Sequence, residues 1–371
     1  MKVLHICKVY LPVKGGVQTV VDWIYEGLIA YGVQSSIYTT YSKGDKVAEE
    51  LEQNISRYRS WLNILNMPIS PSLVFALFRD AKSYDVVCIH YPFPLADLAL
   101  AFAKLRRAKL LIYWHSEIVS QAKASLFTRV FTHIVLKRAS MVVCSSPNLI
   151  DHSTILQQYR DKCVVIPFGM PQPLNTTVPC RPSESTNLVF IGRHVAYKGI
   201  DVLINAFKLV CNDKRFDAYS LSLVGGGPLL NDHRQQIEKA GLSHRVKILQ
   251  NVSNEKLQLI LAKARCLVLP SRLPSEAFAL VQLEAMALGK PIINTALNSG
   301  VPWVARDGKE AITVQAEDVN GLTLAIIKLC QDSDYVDRLG DNAKQRYNNV
   351  FSHAEFCATT YDLYKKVSSE S

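Results

Sequence analysis

The amino-acid sequence predicts an α/β protein with two doubly wound domains, and three observations support this prediction. The chain has 371 residues, which is more than one hydrophobic core usually organises. Short β-rich runs alternate with segments of helical periodicity in both halves of the chain. Between the halves, residues 171–186 contain four prolines, which the interiors of helices and strands do not tolerate. We therefore expect domains at 1–170 and 187–349.

The order of the β-rich runs predicts a parallel sheet in each domain. In the first domain the expected strands are VLHICKVY, VQSSIYTT, YDVVCIHY, LLIYWHS, MVVCSS and CVVIPF, with a helix over Val17–Tyr31 after the first. In the second they are NLVFIGR, LSLVGGG, RVKILQ, CLVLPS and PIINTA, with helices near Gly199–Val210, Leu229–Ala240 and Asn254–Ala264. The last segment, about 350–371, is expected to be a helix that packs back on the first domain. Two such domains are expected to form a ligand-binding cleft between them.

Composition narrows the classes of protein that need to be considered. No apolar run approaches the roughly 18 to 20 residues of a membrane-spanning helix, and the N-terminus lacks the pattern of a secretory signal, so we expect a cytoplasmic protein. Nine cysteines without a CxxC pair are typical of buried free thiols. The net charge is +10, and residues 1–170 carry +7 of it. This charge is compatible with an anionic membrane, an acidic ligand or, as a remote alternative without any recognised motif, nucleic acid.

The segment Leu269–Pro291 contains two carboxylates in an apolar setting. Glu284 lies in the helical stretch AFALVQLEAMAL, and Glu276 precedes that helix, which is expected to begin near Phe278. Both residues have a structural explanation, since Glu276 can complement the helix N-terminus and Glu284 can reach solvent. The functional hypothesis is that the two carboxylates accept hydrogen bonds from sugar and ribose hydroxyls. Backbone N–H groups at the helix start would then face a phosphate, namely those of Phe278, Ala279 and Leu280.

Three other positions are candidates for binding an anion or a polar ligand. The loop IGRHVAYKGID carries Arg193 and Lys198, which can neutralise a diphosphate, although exposed cations on a loop are common. Gly15 and Gly16 precede a helix, so the backbone can approach an anion there. Neither this glycine pair nor Gly225–Gly227 matches the dinucleotide-binding pattern. His115 ends a predicted strand and is expected to face the cleft.

In combination these segments resemble the retaining glycosyltransferases of family four, which have the GT-B architecture of two Rossmann-like domains. The resemblance covers nearly the whole chain and includes the glycine pair, His115, GRHVAYKGID, VGGGP, SEAFALVQLEAMALGKPII and NSGVPWV. It implies that Arg193 and Lys198 bind the donor diphosphate, that Glu284 binds the ribose, and that Glu276 lies near the reacting carbon of the transferred sugar. It also implies that His115 contacts the donor sugar and Gly16 the diphosphate. The chain departs from many members at Ala277, where they have glycine or proline.

The resemblance also implies a reaction and a class of substrate. No residue is placed as a covalent nucleophile, so retention implies front-face attack assisted by the leaving phosphate. No cofactor or metal is expected to be required, because Asp332-Ser333-Asp334, the single DxD, is better explained as a helix N-cap. NSGVPWV and ARDGKEAITV are similar to bacterial O-antigen and lipopolysaccharide mannosyltransferases. GDP-mannose is therefore the favoured donor and UDP-hexose the second, while epimerases and phosphorylases of the same fold, and glycoside hydrolases, remain alternatives.

A lipid-linked glycan acceptor would require the enzyme to approach a membrane. The first domain offers basic segments with apolar neighbours, which can dock on the anionic inner face of a bilayer. The alternatives are that these cations form ordinary solvated surfaces, or that the Arg106–Arg107 pair binds the acceptor's pyrophosphate. The candidate residues are Arg57, Arg59, Trp61, Arg106, Arg107, Lys109, Lys123, Arg129, Lys137 and Arg138.

Overall fold

The computed structural model describes residues 1–13, 15–42, 54–64, 67–116, 125–173 and 180–369. The chain divides into two compact units. Unit 1 consists of Met1–Gly169 together with His353–Ser371, and unit 2 consists of Met170–Ser352. The C-terminal segment thus belongs to the first unit, and each unit is described below by itself.

Unit 1 contains nine strands and six α-helices in the part of the chain that the structure describes. The strands are β1 Lys2–Ile6, β2 Gln34–Tyr41, β3 Ile55–Arg59, β4 Leu62–Ile64, β5 Met67–Ile69, β6 Val86–Tyr91, β7 Lys109–Trp114, β8 Met141–Cys144 and β9 Cys163–Val165. The helices are α1 Gly16–Ala30, α2 Pro71–Asp80, α3 Pro94–Phe102, α4 Ser125–Arg138, α5 Pro147–His152 and, at the end of the chain, α13 His353–Ser369.

Seven of these strands form one parallel sheet with the order β3-β2-β1-β6-β7-β8-β9. All six residues of its central strand β6 are buried, which is typical of a sheet covered on both faces. From β1 the polypeptide continues through β2 to β3 at one edge of the sheet, and from β6 it continues through β7 and β8 to β9 at the other edge. The switch point of the sheet therefore lies between β1 and β6, where His5 is in register with Cys88. Strands β4 and β5 form a separate antiparallel hairpin.

Helix α13 packs against α1 within unit 1. Tyr361 stacks on Tyr31 with the ring centroids 4.6 Å apart. A β-carbon at Gly27 would lie 2.7 Å from the Cys357 sulfur, so the close approach of the two helices depends on glycine there. Tyr364, on the same helix, is fully buried. The apolar spacing of the C-terminal segment is thus accounted for by burial in this unit.

Unit 2 contains six strands and seven α-helices among its described residues. The strands are β10 Asn187–Ile191, β11 Ser220–Val224, β12 Val246–Leu249, β13 Cys266–Val268, β14 Ile292–Thr295 and β15 Ala311–Val314. The helices are α6 Ile200–Cys211, α7 Leu230–Lys239, α8 Asn254–Ala262, α9 Val281–Ala287, α10 Val301–Val304, α11 Val319–Gln331 and α12 Ser333–Val350.

The six strands of unit 2 form a parallel sheet with the order β12-β11-β10-β13-β14-β15. Its switch point lies between β10 and β13, by the same argument as in unit 1. Helices α6 and α11 cover one face and share a core with the strands, in which Phe190, Phe207 and Ile326 are fully buried. Burial of such side chains contributes roughly 1.5–3 kcal/mol each.

Several predictions made from the sequence agree with these elements. The helices expected at Val17–Tyr31, Gly199–Val210 and Leu229–Ala240 each form within one residue of their predicted ends. Asp332 caps α12 by accepting a hydrogen bond from the Tyr335 amide at 2.9 Å, so its N-cap role is confirmed. The cysteines are free thiols, as expected. Within the described residues, none of the helices has both the length and the apolar character that crossing a bilayer requires.

Candidate active site

Two loops at one edge of the unit 2 sheet carry a buried ion pair. Lys198 follows β10 and Glu276 follows β13, and these neighbouring strands flank the switch point, where doubly wound sheets bind their ligands. The Lys198 Nζ lies 2.5 Å from the Glu276 Oε2. Each residue is only 8 % exposed. Two residues that the sequence analysis selected from separate segments are therefore in direct contact.

The Glu276 carboxylate has a second partner in Ser271. The Ser271 hydroxyl donates a hydrogen bond to the Glu276 Oε2 at 3.3 Å. Thr295, at the end of β14, in turn donates to the Ser271 carbonyl at 2.6 Å. A charge that is buried to this extent is stabilised only while its partners are present. The carboxylate is thus held in one position by three neighbouring segments.

The loop that carries Lys198 is fixed by glycine and by Arg272. Gly199 has a φ of +66°, and a β-carbon there would collide with the Pro270 carbonyl. The Arg272 amide donates to the Tyr197 carbonyl at 2.8 Å. The Arg272 guanidinium forms a 2.5 Å ion pair with Asp201 at the start of α6. These contacts join the β10 and β13 loops, so the Lys198 side chain is presented from a rigid backbone.

Arg193 lies on the same loop but in a different environment. Its side chain is exposed, and it forms no hydrogen bond or ion pair with any residue that the structure describes. The Tyr197 hydroxyl interacts electrostatically both with Arg193 and with the Lys198–Glu276 pair. Burial raises the pKa of the Tyr197 hydroxyl above its ordinary value, and Lys198, Glu276 and Arg193 all act on that pKa. Arg193 is thus an available cation beside the paired Lys198.

The Gly225–Gly227 turn supports this loop. The His194 amide donates to the Gly226 carbonyl at 2.9 Å. Gly227 has a φ of +155°, and a β-carbon there would lie 2.6 Å from the His194 carbonyl oxygen. The glycines therefore allow two backbone segments to approach one another. This packing explains the glycine run without the dinucleotide-binding pattern, which the sequence also lacks.

Helix α9 begins at Val281, so the prediction of a start near Phe278 is wrong. The cause is Ala279, whose φ of +60° is in the left-handed region and interrupts the helix. Phe278 is buried and packs edge-to-face on Phe351, with centroids 6.1 Å apart. Within the described chain, the backbone N–H groups of Ala279 and Leu280 have no acceptor. A left-handed residue followed by a right-handed one turns successive N–H groups toward a common point, which is an arrangement that binds anions.

Glu284 lies in the middle of α9 and is partly buried. Its carboxylate makes no hydrogen bond or ion pair with the residues that the structure describes. Desolvation by burial raises the pKa of this carboxyl from 4.5 to about 7. Part of Glu284 nevertheless remains exposed, which is compatible with the alternative that its side chain reaches solvent. An unpaired, desolvated carboxylate is a typical acceptor for ligand hydroxyl groups.

In unit 1, the glycine pair forms the start of α1. Gly15 is the extended N-cap residue, and the helix begins at Gly16. The Thr19 hydroxyl donates to the Gly15 carbonyl at 3.0 Å. The first N–H groups of α1 lack helical acceptors, as in every helix. Lys14, which precedes the pair, lies outside the described residues.

His115 follows β7 directly, as predicted, and it is the last member of a buried chain of three histidines. Its Nε2 lies 3.0 Å from the His90 Nδ1. The His90 Nε2 lies 3.2 Å from the His5 Nδ1. Burial lowers the pKa of His5 and of His115 to about 3 each, and that of His90 well below its ordinary value. All three rings are therefore neutral at physiological pH.

His5 and His90 are not among the residues that the sequence pattern indicated. Both lie inside strands, where a single histidine gives no pattern that distinguishes it from a core residue. Register was the missing information, since His5 faces Cys88 and His90 faces Tyr113 across neighbouring strands. Together with Cys88, these histidines bring three possible metal-binding atoms within 4.8 Å of one another. Two of those nitrogens already form a hydrogen bond to each other, so we assign no metal ion there.

The basic residues proposed to contact a membrane differ in their environments. Arg138 is engaged internally, because its guanidinium donates to the carbonyls of Leu100, Ala101 and Ala103 at the end of α3. Arg57 is half-buried and donates to the Leu11 carbonyl at 3.2 Å. Lys109 is half-buried in β7, and Lys123 lies outside the described residues. The exposed members are Arg59, Trp61, Arg106, Arg107, Arg129 and Lys137.

Comparison with known proteins identifies the class of enzyme. Residues 14–171 match the family model for Glycosyltransferase Family 4, and residues 178–346 match the model for Glycosyl transferases group 1. The chain is a glycosyltransferase. This glycosyltransferase is 26 % identical over 372 residues to O-antigen chain mannosyltransferase C of Escherichia coli, with 98 % of each chain covered. It is 28 % identical over 362 residues to D-rhamnosyltransferase WbpZ of Pseudomonas aeruginosa, covering 95 % of this chain and 92 % of the relative.

A solved structure supports the fold of the glycosyltransferase. The structure of Anabaena Alr3699/HepE in complex with UDP superimposes with a TM-score of 0.78 at 20 % identity, and all of each chain is covered. Together with the two parallel sheets, this likeness confirms the predicted pair of Rossmann-like units of the GT-B type. The resemblance to family-four and O-antigen enzymes that the sequence motifs indicated is confirmed as well.

Proposed function

We propose that this glycosyltransferase moves a hexosyl group, with retention of anomeric configuration, from a nucleotide-diphosphate sugar to a glycan or lipid-linked oligosaccharide. The product would be a bacterial surface polysaccharide of the O-antigen or lipopolysaccharide type. GDP-mannose is the favoured donor, because one full-length relative is named a mannosyltransferase of the O-antigen chain. UDP-hexose is the second candidate, because the solved relative was crystallised with UDP.

The observation that carries this proposal is a set of unpartnered polar groups on the loops that carry the Lys198–Glu276 pair, at the start of α9 and within α9. Arg193 is a cation without a partner in the described chain, and Glu284 is a carboxylate without one. The amides of Ala279 and Leu280 add two unsatisfied donors. A nucleotide-diphosphate sugar offers what these groups lack, since it carries phosphate oxygens for the cation and the amides and hydroxyl groups for the carboxylate.

The proposed roles in unit 2 follow from these environments. Arg193 and Lys198 neutralise the diphosphate, and the amides of Phe278, Ala279 and Leu280 form the backbone part of that site. Glu284 accepts hydrogen bonds from the ribose. Glu276 lies near the reacting carbon of the transferred sugar. The pairing of Lys198 with Glu276 at 2.5 Å holds both charges in place before a donor binds.

Unit 1 would supply two further contacts. Gly15 and Gly16 open α1, where backbone N–H groups can approach a phosphate closely. His115 contacts the donor sugar, and as a neutral ring it can do so without adding a positive charge. Unit 1 would also bind the acceptor.

The proposed chemistry needs no metal ion and no covalent enzyme intermediate. The bond between the sugar C1 and the phosphate oxygen breaks, while the acceptor hydroxyl forms a new bond to C1 on the same face. The leaving phosphate takes the proton of that hydroxyl. Arg193 and Lys198 would stabilise the negative charge that develops on the phosphate, which is the task a divalent cation performs in other phosphate sites.

The test is to incubate the purified protein with a panel of nucleotide sugars, a lipid-linked acceptor and EDTA. We expect GDP release from GDP-mannose, coupled to extension of the acceptor, and no loss of activity in EDTA. Preference for a UDP-hexose would replace the favoured donor with the second one. Conversion of the nucleotide sugar without acceptor extension, or phosphate-dependent cleavage of a glycan, would instead support an epimerase or a phosphorylase.

We also propose that unit 1 docks on the anionic cytoplasmic face of the inner membrane, where a lipid-linked acceptor would be found. The supporting observation is a set of exposed apolar side chains close to exposed cations. Trp61, in front of the β4–β5 hairpin, is 74 % exposed, and Phe75 on α2 is 67 % exposed. Phe102, at the end of α3, is 63 % exposed and precedes the exposed Arg106–Arg107 pair. Aromatic side chains and basic groups of this kind insert at lipid headgroups.

Liposome co-sedimentation tests the docking. Binding should require anionic lipid and should weaken with salt, and the double variant Trp61→Ser, Phe75→Ser should bind about tenfold more weakly. Leu324→Ser is the matched control, since Leu324 is 67 % exposed on α11 of unit 2. Equal binding of neutral and anionic vesicles, or an equal loss in the Leu324 control, would contradict docking through unit 1.

A further inference from the structure

The buried histidine chain connects the interior of unit 1 to the histidine proposed to contact the donor sugar. His5 is fully buried, His90 is 2 % exposed, and His115 is 5 % exposed. The three lie on β1, β6 and the end of β7, so the chain crosses the switch point of the sheet. Successive rings stack with centroids 5.5 Å and 5.3 Å apart, and their planes are inclined by 30° and 21°. Each contact joins one nitrogen of a ring to one nitrogen of the next.

Neutral histidines have one N–H donor and one bare acceptor nitrogen, so the protons in such a chain can be arranged in two ways. In the first, His5 Nδ1–H donates to His90 Nε2, and His90 Nδ1–H donates to His115 Nε2. His115 then carries its proton on Nδ1. In the second, every bond is reversed and His115 Nδ1 is a bare acceptor. One ring cannot change its tautomer unless the other two change theirs.

The buried end of the chain distinguishes these arrangements. The Nε2 of His5 is buried and has no hydrogen-bond partner in the described chain. In the first arrangement this atom is an unused lone pair, whereas in the second it is an N–H without an acceptor. Buried N–H groups without partners are the rarer of the two in proteins. The first arrangement is therefore favoured.

The side chains that surround the three histidines are compatible with the first arrangement of protons. Cys88 faces the His90 Nε2 at 4.0 Å, and burial raises the pKa of its thiol to about 12, so it is a neutral and weak donor toward that nitrogen. Tyr113 from β7 stacks on His90, Tyr364 from α13 lies against His5, and burial raises the pKa of both hydroxyls. These groups carry no charge that would protonate the chain.

We infer that His5 and His90 are positioning residues that lock His115 as a neutral ring with its proton on Nδ1. This inference rests on the proposed contact between His115 and the donor sugar. It adds that His115 acts toward that sugar as a hydrogen-bond donor and not as an acceptor. The residue that decides this lies two rings away, in the interior of the unit.

The tautomer can be measured directly on the free full-length protein by NMR of ¹⁵N-histidine side chains. His115→Phe assigns the resonances of His115. We expect a protonated Nδ1 and a bare Nε2 for His115, unchanged over roughly pH 5 to 8 because burial keeps the ring neutral. A protonated Nε2, or a pH-dependent mixture, would overturn the inference. A change in these resonances on adding EDTA would place a metal ion among the rings and would overturn it as well.

Variants of His5 test whether the lock acts from a distance. His5→Phe removes the donor to His90, so His115 should become a mixture of tautomers and kcat/KM for the donor should fall about tenfold. His5→Gln keeps a side-chain N–H and should restore kcat/KM to within about threefold. Tyr113→Phe is the control, because it removes a hydroxyl beside the histidines but keeps the ring that stacks on His90 and His115, and it should leave the His115 tautomer unchanged. An unchanged tautomer in His5→Phe would contradict the lock.

A double variant separates this inference from the proposed function. In a His115→Phe background, His5→Phe should cause no further loss of kcat/KM, whereas a merely structural role for His5 would give additive losses. If the NMR result is as expected but His115→Phe retains the full rate, the tautomer lock stands and the proposed contact with the donor fails.

Discussion

The switch points of the two sheets hold different chemistry in the same topological position. In unit 1, three histidines are buried at the junction of β1 and β6, and burial removes their charge by lowering their pKa values. In unit 2, Lys198 and Glu276 are buried at the junction of β10 and β13, where they form an ion pair with a distance of 2.5 Å. Burial thus yields a neutral hydrogen-bonding chain in one unit and an ionic centre in the other, depending only on which residues are available as neighbours.

The largest effect expected from this difference concerns Glu276. Glu276→Gln keeps the shape and removes the charge, so we expect turnover to fall by a factor of at least about 100. Steady-state kinetics at saturating donor measures it. Glu255→Gln is the control, because Glu255 is exposed at the start of α8. Turnover within about twofold of the wild type would remove Glu276 from the reaction.

The second effect concerns the stability of unit 2. Lys198→Met leaves the Glu276 carboxylate buried without its cation, which should cost about 3 kcal/mol. Adding Glu276→Gln should recover most of that loss, since the uncompensated charge is then gone. Urea unfolding of the two single variants and the double variant gives the coupling. Simple additivity of the two losses would show that the pair contributes nothing as a pair.

A third and smaller effect is the opposite pH dependence of the two units. Glu284 has a pKa raised by burial to about 7, so its folded form binds more protons than the unfolded chain between about pH 4.5 and 7. The contribution of this group to the free energy of unfolding is therefore fully present at acid pH and is lost as pH rises through 7. Glu284→Gln should remove that loss and stabilise the protein by about 1–2 kcal/mol at pH 8.

The histidine chain of unit 1 should act with the opposite sign. The folded pKa values of His5 and His115 are about 3, below the ordinary histidine pKa of 6.5. Their contribution to the free energy of unfolding is therefore fully present above pH 6.5 and is lost as pH falls below it. Unfolding curves of wild type, Glu284→Gln and His5→Phe across this pH range measure both effects. If Glu284→Gln kept the wild-type decline toward pH 8, its raised pKa would not be the cause.

The smallest structural effect is expected at Arg193, which sharpens the contrast with Lys198 on the same loop. Arg193 is exposed and unpaired among the described residues, so Arg193→Ala should leave urea stability unchanged within about 0.5 kcal/mol. Donor affinity should nevertheless fall about tenfold, and less at high salt, if this cation binds the diphosphate. Lys247→Ala, at an exposed cation on β12, is the control. Unchanged donor affinity would contradict the diphosphate role.

The parts of the site that could be predicted from the sequence are those with a local pattern. Arg193 and Lys198 follow a recognisable strand, and Glu284 is conspicuous because its helix is otherwise apolar. The start of α9 was not predictable in the same way, since alanine gives no signal that Ala279 will adopt a φ of +60°. The internal use of Arg138 was also hidden, because the carbonyls that it caps belong to α3, more than thirty residues earlier.

The sequence by itself determined the two alternating α/β patterns, the strand-end positions of the candidate residues and the family resemblance, because each depends on the order of nearby residues. Tertiary structure alone decided which side chains meet. Lys198 reaches Glu276 because parallel pairing puts β13 beside β10 rather than beside β12. His5, His90 and His115 form a chain because β1, β6 and β7 are neighbours in register. Such contacts join residues that are tens of positions apart, and strand order, which sets them, leaves no local trace in the chain.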